Sequence, residues 1–387
     1  MLENILDMLD DQSLRGRCLE WMASMMCDID YWPFGGPIHQ QAHWTRTLVL
    51  ATQIASHEGL LPKDIDALMA AAAFHDTRRL SGGLDQGHGD RGAEHYREYC
   101  EAIGMEFDPR TYLAIKWHDR DDTDGIAAIE SWMQENPDAL GGSGDGSNAS
   151  AMLVYKILKD SDNLDRLRIS LDALDMTYIR LPYSQTLWQY SHDMLLASQS
   201  EGTREGDAAG PEARRWLVVV DVQNDFVDAA LGTPEAQAAL PAMVEKAAGF
   251  EGNVVFTKDT HSTRYLDTSE GKKLPVPHCI AGGEGWQLVP QMQQVCDRRR
   301  SPVYLKGTFG SRRLADDILA AYARGNLESV EFIGLCTDIC VISNALMAKA
   351  AVPELHVAVD ASCCAGVTPE KHEAALEAMR SCQIDVR

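Results

Sequence analysis

The stretch WLVVVDVQNDF, residues 216–226, marks a change in the character of the sequence. Its first five residues are all apolar and three of them are valine, which is typical of a strand buried on both faces of a parallel sheet. The apolar run ends at Asp221, so such a strand would deliver a carboxylate to the edge of the sheet. Taken alone, this aspartate is equally typical of a helix N-cap or a turn.

The same texture continues through the C-terminal half. Short β-branched runs such as GNVVFTKDTH, SPVYLKGTF, SVEFIGL and ELHVAVDASC alternate with helical stretches such as RRLADDILAAYARG. This alternation predicts an α/β domain with three layers, a parallel sheet with helices on both faces. Ligands of such sheets bind beyond the carboxyl ends of the strands. The residues predicted to lie there are Asp221, Asp259, Lys306, Cys336 and Cys340.

Residues 1–196 have a different pattern. Segments such as TRTLVLATQIASHEGL and DIDALMAAAAFHDTRRL repeat apolar residues at helical spacing, which predicts an all-α domain. The segment GGSGDGSNAS, residues 141–150, predicts a flexible loop between helices. A second polar segment, SQSEGTREGDAAGPEARR, predicts a linker over residues 197–215. We therefore expect a multidomain protein with domains at residues 1–196 and 216–387.

Length and charge restrict the function further. A chain of 387 residues favours two domains, and a formal net charge of −23 disfavours nucleic-acid polymers and anionic membranes as partners. A small anionic substrate stays compatible, because a metal or a local arginine cluster inverts the field within a cleft. No apolar run reaches the roughly 18 residues of a membrane span. The start, MLENILDMLDDQS, is acidic where a signal peptide is basic, and ten cysteines are too sparse for a disulfide scaffold. We expect a cytoplasmic protein with reduced thiols.

The residues at the predicted strand ends suit nucleophilic catalysis. Cys340 lies a few residues beyond the strand VEFIG, near the predicted start of a helix, where free amides favour a thiolate. A lysine such as Lys306 lowers a thiol pKa, and a carboxylate such as Asp221 takes its proton. Backbone amides at Cys336 and Cys340 could hold the developing oxyanion. A lone lysine at a strand end is otherwise typical of a solvated side chain.

Three segments of this half resemble a known family. VVVDVQNDF, LKGTFGS and GLCTDICVISNAL are similar to the catalytic segments of the isochorismatase-like cysteine hydrolases, and within them to the nicotinamidases, over about residues 216–387. The resemblance implies Asp221 as general base, Lys306 as its electrostatic partner, Cys340 as nucleophile and Cys336 as a donor of its backbone N–H only. It implies hydrolysis of nicotinamide to the acid and ammonia through a thioester. The segment TRYLDTSEGKKL, residues 263–274, departs from the family and leaves other small amides open as substrates.

The same resemblance extends to a metal site. TKDTHSTRYLDTSEGKKLPVPHCIAGGEGW is similar to the metal-binding segment of nicotinamidases, which implies Asp259, His261 and His278 as ligands of Zn²⁺ or a similar divalent metal. One carboxylate and two imidazoles would leave coordination positions open for water and a substrate nitrogen. Phe226 and Trp286 are candidates for aromatic walls of the substrate pocket, with core packing as the alternative for both.

The N-terminal half carries a second candidate metal site. His75 and Asp76 follow the apolar run of AAAFHDTRRL, and burying such a pair is costly unless both groups are paired or bind metal. With His43 upstream and LVYKILKDSDNLDRLRI downstream, the order resembles the HD superfamily of metal-dependent phosphohydrolases over roughly residues 35–195. The resemblance implies one or two divalent metals, Fe, Mn, Zn or Mg. The implied ligands are His43, His75, Asp76 and Asp162, with Asp162 preferred over Asp160.

Further residues near this motif suit a phosphate substrate. His88 and His118 are candidates for a second metal, with surface or supporting histidines as the alternative. Arg78 and Arg166 follow within four residues of implied ligands and are candidates for phosphate contacts, with solvated arginines as the alternative. The family implies a nucleotide or another phosphoester as substrate.

Together these expectations describe a bifunctional hydrolase. The nicotinamidase-like half and the phosphohydrolase half would act on compounds of one NAD salvage route, and we expect a homo-oligomer. The alternative is an amidase for another small amide joined to a nucleotide-sensing or structural HD domain without turnover.

Overall fold

The structure is a computed structural model that describes residues 5–32, 41–137, 149–170, 173–198 and 214–387. The chain forms two compact units, Leu2–Ser198 and Gln199–Arg387. Most of the predicted linker and of the predicted loop at residues 141–150 lies outside the described residues. None of the described helices combines the length and the apolar character needed to cross a membrane.

The described part of the N-terminal unit is helical and contains no strand, which confirms the predicted helical pattern for these residues. Its α-helices are α1 Arg15–Cys27, α2 Gln41–His57, α3 Pro62–Phe74, α4 His88–Ile103, α5 Pro109–Trp117, α6 Asp122–Glu135, α7 Ala151–Leu164 and α8 Trp188–Ser198. Helix α3 starts with Pro62, whose fixed φ suits the first turn, and it is buried over nearly its whole length. Helices α2, α5 and α7 pack against it and form the core of the unit.

The ends of helices α3 and α7 determine where the polar residues of this unit lie. Helix α3 ends at Phe74, so His75 and Asp76 follow the last turn of the most deeply buried helix. Helix α7 begins after Ser150, whose side chain accepts a hydrogen bond from the amide of Leu153. The last turn of α7 and the following 3₁₀ turn, Asp165–Arg168, carry the acidic and basic residues of the downstream motif.

The C-terminal unit contains a parallel sheet, which confirms the predicted α/β class. Its strands are β1 Arg215–Val220, β2 Asn253–Asp259, β3 Val303–Lys306, β4 Ser329–Leu335, β5 His356–Ala365 and β6 Asp385–Val386, in the spatial order β3-β2-β1-β4-β5-β6. All the pairings are parallel. The helices are α9 Asn224–Val227, α10 Pro234–Gly249, α11 Pro290–Arg299, α12 Arg312–Ala323, α13 Ile342–Ala351 and α14 Pro369–Ser381.

Helices cover both faces of this sheet. One core cluster joins alternate residues of β1, such as Trp216, Val218 and Val220, to side chains of α12, α13 and α14. The intervening residues of β1 are also fully buried, and α10 and α11 pack against the sheet and against each other. Strand β1 is therefore buried on both sides, which explains its unbroken apolar run.

The carboxyl ends of the central strands meet at one edge. Asp221 follows β1, β2 ends at Asp259, and β3 ends at Lys306, which pairs in register with Asp259. Strand β4 leads through a cis peptide at Leu335–Cys336 into a π-helical turn, Thr337–Val341, and then into α13. Gly334 in β4 has φ +119, and a Cβ there would lie 2.2 Å from the carbonyl oxygen of Val220, so only glycine lets the two strands approach so closely.

Candidate functional site

Three side chains meet at the carboxyl edge of the C-terminal sheet. The Lys306 Nζ lies 2.6 Å from the Asp221 Oδ2 and 3.6 Å from the Cys340 Sγ. All three residues are buried, at 4% exposure or less. They come from the ends of β3 and β1 and from the turn after β4, so the parallel sheet brings together residues from three separate segments of the chain. A cation, a carboxylate and a thiol in contact are the parts that a cysteine hydrolase needs.

Burial and mutual charge set the protonation of this cluster. Burial raises the pKa of Asp221, while the neighbouring Lys306 opposes that rise. Burial alone would lower the pKa of Lys306, but the carboxylates of Asp221 and Asp259 hold it well above its usual range. Burial also raises the pKa of the Cys340 thiol, against the effect of Lys306. The resting thiol therefore keeps its proton, and a carboxylate base is needed to remove it.

Thr257 is a part of this site that the sequence did not point to. Its hydroxyl donates a hydrogen bond of 2.6 Å to the Asp221 Oδ1 and is fully buried. Only the register of the folded sheet reveals it, because Thr257 pairs there with Val220, the residue before Asp221. The hydroxyl orients the carboxylate so that its other oxygen faces Lys306.

The two cysteines occupy different positions. The Cys336 carbonyl accepts hydrogen bonds from the amides of Ile339 and Val341, which closes the turn that carries Cys340. Burial raises the pKa of both thiols, so their contacts rather than their pKa values distinguish them. The Lys306 ammonium donates to the Cys340 Sγ. This geometry favours Cys340 over Cys336 as the nucleophile.

A second cluster adjoins these residues through Asp259. The Asp259 Oδ1 lies 3.1 Å from the Lys306 Nζ, and its Oδ2 lies 3.0 Å from the His261 Nε2 and 3.4 Å from the His278 Nε2. One donor atom from each of Asp259, His261 and His278 lies within 4.8 Å of the other two, and all three residues are buried. The other ring nitrogen of His278 contacts the carbonyl of Val276 at 2.9 Å, as expected of a metal-binding imidazole. This donor set fits Zn²⁺.

The segment 263–274, which departs from the family pattern, supplies two neighbours of this cluster. The Glu270 Oε1 lies 3.7 Å from the His278 Nε2 and 3.9 Å from the His261 Nε2. The Tyr265 ring stands at an angle to both imidazoles, with centroid distances of 4.7 and 4.9 Å. Sequence reasoning missed both residues, because nothing in the spacing of an acidic loop distinguishes Glu270 from solvated carboxylates.

The two candidate aromatic walls have separate locations. The Phe226 ring lies edge-on to the His278 ring at 5.5 Å, next to the cluster. Trp286 is 1% exposed, its indole N–H donates to the Thr260 hydroxyl, and the Lys258 ammonium lies 3.1 Å from its ring centroid. Trp286 is as buried as Asp221 and Cys340, so its burial fits a pocket wall and core packing alike and its role stays a prediction.

The N-terminal unit brings together all four residues of its first predicted set. The His43 Nε2 lies 3.2 Å from the His75 Nε2, 3.3 Å from the Asp76 Oδ2 and 3.5 Å from the Asp162 Oδ1. His43, His75 and Asp76 are buried, and burial lowers the pKa of His75 to about 3. The neutral imidazole that results is the form that binds a metal.

The second oxygen of Asp76 faces another pair of histidines. The Asp76 Oδ1 lies 3.1 Å from the His88 Nε2 and 3.9 Å from the His118 Nε2, and the two histidine nitrogens are 2.9 Å apart. Asp76, His88 and His118 form a second buried group with donor atoms within 4.8 Å of one another. Asp76 therefore joins two adjacent metal-type donor sets, one at each carboxylate oxygen.

The four histidines of this double cluster share one arrangement. Each directs its Nε2 inward, and its Nδ1 contacts an acceptor outside the cluster, which is how metal-binding imidazoles are commonly held in orientation. The pairs are His75 with the carbonyl of Ala72 at 2.7 Å, His88 with that of Asp85 at 2.6 Å, His118 with that of Ile115 at 2.6 Å, and His43 with the Asp165 Oδ2 at 2.8 Å. The donor set and its orientation fit two divalent metals. Asp165 was missed by sequence reasoning.

Of the two arginines proposed for phosphate contacts, Arg78 and Arg166, only one lies near the cluster. Arg78 donates to the carbonyl of Asp30, and its guanidinium lies over the Trp32 ring, so it is not brought to the cluster. Its neighbour Arg79 does lie at the cluster, with its Nη1 3.2 Å from the Asp76 Oδ1 and 3.1 Å from the His88 Nε2. Arg166 lines a cavity beside the cluster together with His88 and His118. The chain leaves α3 in a turn, so Arg78 and Arg79 point in different directions.

A family comparison defines the class of the C-terminal unit. Residues 215–387 match the family model described as the isochorismatase domain. This match, together with the parallel sheet and the site at its carboxyl edge, makes the C-terminal unit an isochorismatase-like domain. The protein is accordingly a hydrolase.

Solved structures with similarity to this chain include several amidases. A nicotinamidase from Bacillus subtilis is 25% identical, with a TM-score of 0.40, over 45% of this chain and 98% of that chain. A pyrazinamidase from Pyrococcus horikoshii, solved in complex with zinc, is 24% identical, with a TM-score of 0.38, over 45% of this chain and 98% of that chain. A pyrazinamidase/nicotinamidase from Streptococcus mutans is 24% identical, with a TM-score of 0.39, over 45% and 99%. A search of the curated proteins found no match.

Proposed function

We propose that the C-terminal domain hydrolyses nicotinamide or a similar small amide to the carboxylic acid and ammonia. The observation that carries this proposal is the position of Lys306, in contact with both the Asp221 carboxylate and the Cys340 thiol. The three catalytic segments have the order and residue types of nicotinamidases. The Asp259–His261–His278 cluster beside them supplies the metal-binding donor set that the resemblance to nicotinamidases implies.

The reaction would proceed through a thioester. Asp221 takes the proton of the Cys340 thiol, and the Sγ attacks the carbonyl carbon of the amide. The tetrahedral intermediate collapses as its C–N bond breaks, and the leaving amine takes the proton back from Asp221 and departs as ammonia. Asp221 then removes a proton from water, which attacks the thioester and releases the acid and the Cys340 thiol. The ammonium of Lys306 lowers the energy of the thiolate, and the amides of Cys336 and Cys340 would hold the oxyanion.

The aspartate and the two histidines would hold a divalent metal such as Zn²⁺. When bound, the metal would supply a Lewis acid that orients a ring nitrogen of the substrate. The chain's own contribution is the alignment of the donors. Asp259 contacts Lys306 with one oxygen and both histidines with the other. It therefore fixes the metal-binding residues and the catalytic residues relative to each other.

Release of ammonia from nicotinamide by the full-length protein tests this function. We expect activity in the wild type and in Cys336→Ala, and none in Cys340→Ala. If Cys340→Ala retained activity, the proposed nucleophile would be wrong. If the wild type released no ammonia from nicotinamide but did so from another small amide, the reaction type would stand and the substrate would be replaced.

We propose that the N-terminal unit is an HD-type phosphohydrolase domain for a nucleotide or another phosphoester. The supporting observation is the carboxylate of Asp76, whose two oxygens face two separate histidine pairs. His43, His75, Asp76 and Asp162 would hold one divalent metal, and Asp76, His88 and His118 a second. Two such metals would supply a hydroxide nucleophile and neutralise phosphate charge. The residues themselves fix the imidazole orientations through the outer acceptors.

Metal content and phosphoester turnover test this second function on the full-length protein. We expect two equivalents of metal in the N-terminal unit beyond that held by the Asp259 cluster, and hydrolysis of p-nitrophenyl phosphate with Mn²⁺. We expect His75→Ala to lose the metal of the N-terminal unit and the hydrolysis of p-nitrophenyl phosphate. The control His57→Ala, which removes an exposed histidine of α2, should keep the metal and the activity. Metal and nucleotide binding without turnover would favour a sensor domain. Unchanged metal content and activities in His75→Ala would favour a purely structural domain.

A further inference from the structure

A cavity of about 470 Å³ opens beside one half of the N-terminal double cluster. His88, His118 and Asp162 line it, whereas His43 and His75 are not among the described residues that line it. The position between Asp76, His88 and His118 therefore faces the cavity through both of its histidines, whereas the position between His43, His75, Asp76 and Asp162 reaches it through Asp162 alone. A ligand that enters the cavity reaches the His88–His118 position first.

The cavity is cationic in a strongly acidic protein. The whole chain has 35 Lys and Arg residues against 58 Asp and Glu residues. The cavity reverses this ratio, since six lysines and arginines and three aspartates line it. The cations are Arg79, Arg120, Lys159, Arg166, Arg168 and Arg180. Several of these cations also pair with aspartates outside the lining, as Lys159 and Arg180 do with Asp122, but the groups that face the cavity itself are mostly cationic and suit an anion.

The cations lie on both sides of the metal-type donors. Lys159, Asp162 and Arg166 all line the cavity at spacings of three and four residues along the end of α7 and the turn after it. Residues at this spacing share one face of a helix, with about 4.5–6 Å between successive positions along the axis. Asp162 thus has a cation about one turn before it and another about one turn after it. Two phosphate groups linked in one anion could therefore pair with the cations on both sides of Asp162 at the same time.

The cations on the Lys159 side are held in place. The Lys159 Nζ and the Arg180 Nη2 approach the same oxygen of Asp122, at 2.6 and 2.7 Å. Arg180 also contacts Asp160, at 3.1 Å. Cations fixed by carboxylates lose less conformational entropy when an anion binds than free side chains do. This side of the cavity is preorganised.

The lining also includes exposed apolar side chains. Tyr178 is 62% exposed, Ile169 is 50% exposed and Leu84 is 99% exposed. An exposed tyrosine next to arginines suits a ring that stacks while an attached phosphate meets the cations. A cavity of this volume accommodates a ligand of small-drug size rather than an inorganic ion.

We propose that this cavity binds a diphosphate ester with a ring-bearing organic group, of the nucleoside diphosphate type. One phosphate lies at the His88–His118 position, the second contacts the cations that flank Asp162, and the ring lies against Tyr178. This inference rests on the proposed phosphohydrolase function and deepens it, because it requires two linked phosphates and assigns the cavity-facing metal position to the substrate. Arg166 is then a specificity-determining residue for the second phosphate, and Tyr178 for the organic group.

The test is titration calorimetry, which measures the binding of three probes to the full-length, Mn²⁺-loaded protein. The probes are chosen so that the protein does not hydrolyse them readily. The probes are adenosine 5′-(α,β-methylene)diphosphate, adenosine 5′-monophosphorothioate and methylenediphosphonate. We expect the first to bind at least about tenfold more tightly than either of the others, since stacking and a second charged contact each contribute about that factor. Arg166→Ala should weaken both diphosphate probes about tenfold and the monophosphate probe less than twofold. Tyr178→Ala should weaken both adenosine probes and leave methylenediphosphonate unchanged.

Arg17→Ala and Trp188→Ala serve as matched controls, because each removes an exposed side chain of this unit outside the cavity. Equal binding of the monophosphate and diphosphate probes, or equal losses on all probes in Arg166→Ala, would overturn the inference. Metal content and p-nitrophenyl phosphate turnover separate this failure from that of the proposed function. If both are present and the diphosphate has no advantage, only the inference fails. If the N-terminal unit holds no metal, the proposed function fails and the inference with it.

Discussion

The Nδ1 of His43 donates to the Oδ2 of Asp165 over 2.8 Å, although the two residues are 122 positions apart. Arg46 holds the same carboxylate through its Nε at 2.5 Å and its Nη2 at 3.1 Å. Asp165 is 1% exposed, so its charge is compensated by these two partners. The contact fixes which nitrogen of His43 faces the cluster, and it ties α2 to the turn that follows α7.

From this contact we expect Asp165→Asn to lower the affinity of the N-terminal cluster for Mn²⁺ by about 10- to 100-fold, because the carboxylate fixes the orientation of the His43 ring and outer partners of this kind support metal binding. Titration calorimetry with Mn²⁺ would measure the loss. Asp175→Asn, which alters an exposed aspartate of the same unit, is the control. Near-ultraviolet circular dichroism would establish that the variant is folded. An unchanged affinity in a folded variant would mean that the charge of Asp165 does not support metal binding by His43.

The hydroxyl of Thr257 gives a prediction for the amidase site. Thr257→Val should reduce kcat for amide hydrolysis by about 10- to 100-fold, because a hydrogen bond to a buried carboxylate contributes about 1.5–3 kcal/mol. Thr257→Ser keeps the hydroxyl and should stay within a fewfold of the wild type. Steady-state kinetics on the three proteins would make the comparison. If serine and valine lowered kcat equally, the effect would come from packing rather than from the bond to Asp221.

Glu270 gives a prediction for the C-terminal metal cluster. Burial and the nearby charge of Asp259 raise the pKa of Glu270, and a bound cation would remove this repulsion by attracting both carboxylates. We therefore expect Glu270→Gln to weaken Zn²⁺ binding by about tenfold, measured by competition with a chromophoric chelator. Glu284→Gln, at an exposed position outside the cluster, should bind Zn²⁺ as the wild type does. Equal affinities in the two variants would exclude a contribution of Glu270 to the site.

His95 gives a prediction for the dependence of stability on pH. Burial and the charge of Arg78 lower its pKa from 6.5 to about 4, and its Nδ1 contacts the Thr77 hydroxyl at 3.0 Å. The unfolded chain therefore binds a proton at this histidine between about pH 6.5 and pH 4 that the folded protein does not bind. The stabilisation is complete above pH 6.5 and is lost as the pH falls towards 4. In His95→Gln, which cannot titrate, Tm should fall less over this range. Identical pH profiles of Tm in the two proteins would contradict the assignment.

Much of the C-terminal site could be predicted from the sequence. The strands were visible as apolar runs, and parallel strands end at one edge, so Asp221, Asp259 and Lys306 could be placed together from their positions at run ends alone. The distances that join them to Cys340 required the register of the sheet. The roles of these residues stay predictions, as do the predicted domain limits. Thr257 was overlooked because an isolated threonine within a strand has no pattern that marks it.

Less of the N-terminal site could be predicted. The resemblance to the HD superfamily predicted His43, His75, Asp76 and Asp162 as one set, and all four lie together. The sequence did not separate the two oxygens of Asp76, and it did not distinguish Arg79, which reaches the cluster, from Arg78, which contacts Asp30. Adjacent residues leave a turn in different directions, and a one-dimensional pattern does not record which direction faces the cluster.

By itself, then, the sequence determined the alternation of strands and helices, the helical character of the first half and the chemical types at each site, because these depend on local periodicity and side-chain chemistry. Only the tertiary structure decided which acid supports which histidine. Asp160 accepts from the amides of Arg180 and Leu181, Asp162 faces the cluster and Asp165 orients His43. These three aspartates lie within six residues, and their roles differ because the end of α7 presents each one to a different neighbour. That choice depends on how helices distant in sequence pack together, which local sequence does not encode.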